Sequence, residues 1–203
     1  MPVNEQWLEF AFWTAGANWL TWRADFEFED DVARLPVLQR QDRYRVFIKS
    51  YSLLRYYTIE ERNSLRRRLY NSNDFRTAVE ANDGTGIDNL AHLLRTEFPD
   101  FDVERSFISK LAAFAKPTSF IAWDRFARRG VAALANGPTN GNYQTYSAYL
   151  TSVNGVLAGL LGQSIQNFLN DKGLPTQNRE AFVRRVLDVY LMVKGGRWST
   201  ELA

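Results

Sequence analysis

The chain has 203 residues and a formal net charge of +2, from 25 Lys and Arg against 23 Asp and Glu, which suits one domain with a sizeable core. It contains no cysteine and one histidine, His92, which argues against disulfides, thiol nucleophiles, cysteine-ligated metals, Ser–His–Asp triads and histidine-rich metal sites. The remaining chemistry belongs to Lys, Asp, Glu, Tyr, Ser and Thr, and we expect neither a metal nor a cofactor.

Hydrophobic periodicity is helical along the first half of the chain, without an alternating strand pattern of useful length. Thr58 and Glu61 have the spacing of a capping box, which predicts that a helix begins there. The other predicted elements are an aromatic helical segment over 7–22 interrupted near Gly16, a loop over 25–31, a long helix over 38–57, a loop over 82–86 and a helix over 87–98.

The second half of the chain is also predicted to be helical. Residues 130–170 carry no formal charge, but their apolar runs are too short to span a membrane. Because the N-terminus lacks the pattern of a signal peptide, we expect a cytoplasmic protein that does not bind membranes. The predicted elements are a connection over 99–102, a helix over 103–115 ended by Pro117, a helix from Asp124 to Leu134, a loop over 136–141, one long or two shorter helices over 143–168, and a last helix from Thr176 or Asn178 to Val193.

Lys110 interrupts an apolar helical face. It shares the stripe formed by Val103, Phe107, Leu111 and Phe114. Burying an ammonium group is costly unless the group is paired or loses its proton, and the free amine is a nucleophile. The alternative is a lysine at the edge of the stripe whose charged end reaches water.

Asp124 is predicted to be the N-cap of the next helix. A carboxylate there accepts hydrogen bonds from backbone amides and lies at the positive end of the helix dipole, so it stays ionised. By itself this is an ordinary helix cap. Lys110 on an inward face, followed by Asp124 at the entrance of the next helix, is a more specific pattern than either residue alone.

Residues 106–130, SFISKLAAFAKPTSFIAWDRFARRG, resemble the catalytic core of helix–hairpin–helix DNA glycosylases, in particular compact bacterial proteins with an 8-oxoguanine DNA glycosylase fold. Lys110 matches the family's lysine on the second hairpin helix, and Asp124 matches its catalytic aspartate. The resemblance implies one all-α domain over 1–203 with two helical lobes, whose active-site helix and aspartate loop lie at about 103–134. The chain departs from the family in lacking hairpin glycines at residues 98–102.

The resemblance implies an enzyme that flips a modified base out of double-stranded DNA and cleaves its N-glycosidic bond, leaving an abasic site. Asp124 would stabilise an oxocarbenium-like state. Lys110 would form a Schiff base that permits strand scission; if it is kept from the sugar, Asp124 would activate a water. The candidate substrates are 8-oxoguanine in repair and hypermodified phage bases, such as glucosylated hydroxymethylcytosine, in antiviral defence.

Aromatic and basic side chains complete the predicted site. We expect the protein to be a monomer. Two alternatives stay open: a non-catalytic helical DNA-binding module, and a protein-interaction module that uses residues 130–170 as its interface. The candidates for the base pocket are Phe114, Trp123, Trp22 and Tyr190, and those for DNA phosphates are Arg66, Arg67, Arg125, Arg128 and Arg129.

Overall fold

A computed structural model describes residues 3–26, 36–55, 57–99, 105–173 and 179–198, without the side chains of 19–26 and 36–37. All regular secondary structure within these ranges is helical, and the all-α prediction is confirmed. No helix in this part of the chain has both the length and the apolar character needed to cross a bilayer. The helices are α1 (Glu5–Phe26), α2 (Pro36–Gln39), α3 (Gln41–Ser50), α4 (Ile59–Asn71), α5 (Asp74–Glu80), α6 (Thr85–Glu97), α7 (Arg105–Ala115), α8 (Arg125–Ala135), α9 (Tyr146–Ala158), α10 (Leu160–Asp171) and α11 (Arg179–Lys194), with a short 3-10 turn (Thr139–Gly141) before α9.

The helices pack in two groups. In one group α11 packs against α1, α8 and α10, and α9 packs against α8 and α10. In the other, α2 to α7 follow one another, and α6 joins the two groups through its contact with α9. A single cluster of buried apolar side chains runs through both groups. The first and last described helices therefore lie side by side.

α8 and α11 approach each other closely because glycine occupies the crossing. A Cβ atom at Gly130 would lie 2.0 Å from the carbonyl oxygen of Leu191, which no real side chain tolerates. A Cβ atom at Gly195 would lie 1.9 Å from the carbonyl oxygen of Phe126. The tight crossing places α11 beside the start of α8, where Asp124 lies.

The predicted continuous helix over 38–57 is wrong. Helix α3 ends at Ser50, and Ser52 and Leu54 both have φ of 50°, a left-handed conformation that a right-handed helix of L-residues excludes. Leu53 and Leu54 are buried, so they reach the core from a turn. Periodicity alone assigned them to a helical face, because a buried turn and a buried helix both place apolar residues close together.

Several other boundaries also differ from the predictions. Helix α1 continues through Gly16, so the predicted interruption is wrong, and α5 was not predicted. Helix α6 begins at Thr85, inside the predicted loop. Of the two alternatives predicted for residues 143–168, the structure has the two shorter helices, separated at Gly159. Residues 25 and 26 of the predicted loop over 25–31 belong to α1, and the rest lies outside the described residues.

Candidate active site

A cavity of about 90 Å³ lies between α7 and α11. Lys110 of α7 and Asp124, which directly precedes α8, both line it. Aromatic and aliphatic side chains form most of the remaining wall, including Phe114 and Phe120. The charged side chains that line the cavity are Lys110, Asp124, Arg184, Arg185, Asp188 and Arg197.

Asp124 is the N-cap of α8, as predicted. Its Oδ1 accepts hydrogen bonds from the amides of Phe126 at 2.8 Å and Ala127 at 3.4 Å. Its backbone is extended rather than helical, so α8 begins directly after it. The carboxylate thus lies at the positive end of the α8 dipole and at the wall of the cavity.

The segment that precedes Asp124 is held by two buried tyrosines of α9. The hydroxyl of Tyr146 donates to the carbonyl oxygen of Ile121 at 2.6 Å and accepts from the amide of the same residue at 3.3 Å. The hydroxyl of Tyr149 donates to the carbonyl oxygen of Ala122 at 3.1 Å. Burial raises the pKa of both phenols well above 10.0, so both remain protonated donors.

Asp88 anchors the start of α9, from which these tyrosines project. Its two carboxylate oxygens accept hydrogen bonds from the amides of Tyr146 at 2.9 Å and Ser147 at 3.0 Å. Arg105 of α7 donates to the same carboxylate at 2.7 Å. One buried acid on α6 therefore connects α7 and α9, the two helices that position Lys110 and the segment leading to Asp124.

Lys110 is half-buried on α7. Its Nζ donates to the hydroxyl of Ser106, one turn earlier, at 2.7 Å. Phe107 and Leu111 of the same predicted stripe are fully buried, whereas Val103 lies outside the described residues. Lys110 lines the cavity and is also partly exposed.

Asp188 is a second carboxylate in the cavity that the sequence analysis missed. Only 3% of the residue is exposed. Its Oδ2 accepts a hydrogen bond from Arg185, and its Oδ1 has no hydrogen-bond partner among the described residues. Burial raises its pKa to about 6, with the charge of Asp124 adding to this effect, while Arg185, Lys110 and Arg197 oppose it. An aspartate within the apolar run of residues 186–193 was the available signal.

Arg184 is the other buried charged residue of the cavity. Its Nη2 donates to Oδ1 of Asn154 on α9 at 2.9 Å. Its Nε and Nη1 are buried and have no partner within the described part of the chain. Buried polar groups are normally hydrogen-bonded, so these atoms of Arg184 and Oδ1 of Asp188 are exceptions among the described residues.

The structure places the four predicted base-pocket residues apart. Phe114 lines the cavity, and its ring packs edge-on against Phe47 and Tyr51. Trp123 packs among Tyr146, Tyr149 and Arg128, and it is not among the residues that line the cavity. Tyr190 lines a separate cavity near the N-terminus, and the side chain of Trp22 lies outside the described residues.

The five predicted phosphate-binding arginines have different surroundings. Arg66 donates to the carbonyl oxygen of Leu38 at 3.0 Å, and Arg128 donates to that of Gly141 at 3.1 Å. Arg66 therefore ties α4 to α2, and Arg128 ties α8 to the 3-10 turn. The other three, which are exposed, are Arg67, Arg125 and Arg129.

The region of the predicted hairpin is only partly covered. Phe98 and Pro99 follow α6, and residues 100–104 lie outside the described ranges.

No family model matches the sequence, and neither a curated protein nor a solved structure is detectably similar to it. We therefore infer function from the cavity and from the residues that line it.

Proposed function

We propose that this protein is a DNA glycosylase that binds a flipped base in the cavity between α7 and α11 and cleaves its N-glycosidic bond. The observation that carries the proposal is that Lys110 and Asp124 line one cavity. An amine and a carboxylate beside a largely apolar pocket suit the expulsion of a base from a sugar. Neither group needs a metal or a thiol for this chemistry.

In the hydrolytic route Asp124 acts on a water. The bond between C1′ and the base nitrogen breaks, and the base leaves with the electron pair. The carboxylate stabilises the positive charge that develops on the sugar. Water then bonds to C1′ and gives a proton to the carboxylate, which passes that proton to the departed base, so that the products are a free base and an abasic site.

In the covalent route the amine of Lys110 attacks C1′ while the base departs with its electron pair. The nitrogen gives one proton to the departed base and a second to the ring oxygen as the sugar ring opens, which leaves an imine between Lys110 and C1′. This imine is the species that permits strand scission. Borohydride reduces it to a stable amine, so the covalent route has a direct chemical signature.

The cationic wall of α11 supports the same reaction. A departing base carries developing negative charge, and preorganised cations near that charge lower the barrier. Arg184, with two buried unpartnered nitrogen atoms, is suited to this role. The apolar side chains Phe114 and Phe120 suit contact with a planar heterocycle, since base-flipping enzymes hold the extruded base by stacking and hydrogen bonding. We propose 8-oxoguanine and hypermodified phage bases as substrate classes, with repair and antiviral defence as the corresponding roles.

The test is borohydride trapping on duplexes that contain no modification, 8-oxoguanine, uracil or glucosylated hydroxymethylcytosine, followed by alkaline cleavage of abasic sites. We would compare the wild type with Lys110→Ala and Asp124→Asn. Asparagine is also a good N-cap, so the aspartate variant is expected to keep α8. Lys116→Ala, just beyond α7, is the matched lysine control, because Lys116 does not line the cavity.

A trapped adduct that disappears in Lys110→Ala and persists in Lys116→Ala supports the covalent route. Alkali-labile sites without an adduct, lost in Asp124→Asn, support the hydrolytic route. If neither an adduct nor an abasic site forms on any duplex, or if product formation is unchanged in both cavity variants, the proposal is overturned in favour of a non-catalytic module.

A further inference from the structure

A second and larger cavity, of about 510 Å³, lies between α3 and α4. We call it the basic groove, because Arg45, Lys49, Arg55 and Arg62 line it. Its floor is formed by buried side chains of α3 and of the turn after it. No carboxylate is among the described residues that line the groove.

Among the described residues, three cations of the basic groove have no carboxylate partner. Arg45, Lys49 and Arg55 are exposed, and none of them forms an ion pair with a carboxylate in the described ranges. The nearby carboxylate of Glu61 is occupied by the hydroxyl and amide of Thr58 at 2.7 and 2.6 Å. Within the described ranges, the groove therefore presents positive charge without a carboxylate beside it.

This positive charge is concentrated in one part of the chain. Residues 38–70 contain nine Lys and Arg and three Asp and Glu, a formal charge of +6. The whole chain carries +2, so the remaining residues carry −4. Arg68 of this segment is already paired with Asp74 and Glu97, and the remaining excess of positive charge favours binding of a polyanion despite the small net charge.

The basic groove adjoins the candidate active site. Tyr51 lines the cavity that contains Lys110, and Ser52, the next residue, lines the basic groove. Consecutive Cα atoms are about 3.8 Å apart, so the cavity and the basic groove lie on either side of one turn of the chain. The left-handed conformation of Ser52, with φ of 50°, helps form this turn.

We infer that the basic groove binds the sugar-phosphate backbone of the DNA strand whose nucleotide enters the cavity. The inference rests on the proposed function for the identity of that nucleotide. Arg45 and Lys49 lie one helical turn apart, about 6 Å along α3, a spacing that suits successive phosphates better than one small anion. An open row of exposed cations contacts a backbone without reading its bases.

The test measures binding of a short unmodified duplex by fluorescence anisotropy over a range of salt concentrations. Arg45→Ala/Lys49→Ala removes two groove cations, and Arg76→Ala/Lys172→Ala removes two cations from α5 and the end of α10 as the control. The logarithm of the binding constant falls as the logarithm of the salt concentration rises, and each lost phosphate contact makes this fall less steep by about 0.9. We expect the groove variant to make the salt dependence less steep by about 2 and to weaken binding roughly 10- to 100-fold at about 0.1 M salt. The control variant should stay close to the wild type in both measurements.

Equal affinity and salt slope for the groove variant and the control variant would overturn the inference, even if base excision is observed. Loss of duplex binding in the groove variant alone supports it. If that loss occurs while no duplex yields an abasic site, the basic groove stands and the glycosylase proposal fails. The two conclusions are thus separated by one binding assay and one excision assay.

Discussion

The hydroxyl of Ser109 accepts a hydrogen bond from the amide of Trp123 at 2.9 Å, and these residues immediately precede Lys110 and Asp124. Ser109 is fully buried, and its hydroxyl also donates to the carbonyl oxygen of Ser106 at 3.2 Å. This one hydroxyl joins α7 to the segment that ends at Asp124. It therefore helps to set the position of the candidate amine relative to the candidate carboxylate.

Ser109→Ala should impair excision more than DNA binding. The substitution leaves the partly buried amide of Trp123 without its partner, which costs about 1 kcal/mol of unfolding free energy. A small displacement of a catalytic group lowers the rate strongly, and we expect single-turnover excision to fall roughly tenfold or more. The control is Ser152→Ala, whose hydroxyl bonds only within its own helix. An unchanged excision rate in Ser109→Ala would show that the hydrogen bond does not position the site.

The two tyrosines Tyr146 and Tyr143 offer a matched comparison. Tyr146→Phe removes both hydrogen bonds to Ile121 and should cost about 1–3 kcal/mol of unfolding free energy, with a slower excision step. The buried hydroxyl of Tyr143 has no hydrogen-bond partner among the described residues, so Tyr143→Phe should leave stability unchanged or raise it slightly. Denaturant unfolding measures both changes, and equal losses would contradict the assigned role of Tyr146.

Gly130 and Gly155 are predicted to respond oppositely to alanine. Gly130→Ala places a methyl group against the backbone of Leu191, so α8 and α11 must separate at a cost of about 3 kcal/mol or more. At Gly155, inside α9, an added Cβ has nothing within 4 Å, so alanine should stabilise the helix by about 0.5–1 kcal/mol. Thermal unfolding of the two variants checks both signs, and a stable Gly130→Ala protein would refute the tight crossing.

Asp188 makes stability depend on pH. Its pKa is about 6 in the folded protein against 3.8 as the ordinary value, because burial favours the protonated form. The raised pKa means that its stabilising contribution is complete below 3.8 and is lost as pH rises through about 6. Relative to Asp188→Asn, the wild type should lose about 2 kcal/mol of unfolding free energy between pH 4 and pH 7.

Unfolding of both proteins across this pH range provides the measurement. The asparagine variant serves as the reference, because every other titrating group is shared. A stability difference that grows in favour of the wild type as pH rises would mean that the ion pair with Arg185 outweighs the cost of burying the charge. In that case Asp188 would be ionised throughout the range.

Local signals predicted the helix starts that matter most for the site. Thr58 accepts from the amide of Glu61 at 3.2 Å and completes the expected capping box, and Asp124 caps α8. Both are contacts within a few residues, so they depend on side-chain chemistry that is visible in the sequence. By contrast, α3 ends just before Ser52 and Leu54, which have a left-handed conformation that serine and leucine seldom adopt. No local signal in the sequence marked that break.

The sequence by itself determined the all-α class and the caps, because helical periodicity and capping are short-range properties. Only the tertiary structure brought Lys110 and Asp124 to one cavity and added Asp188 to them. It also showed that Tyr146 holds the segment leading to Asp124. These relationships join residues far apart in the chain, and they arise because buried polar groups must find partners wherever packing of the helices places them.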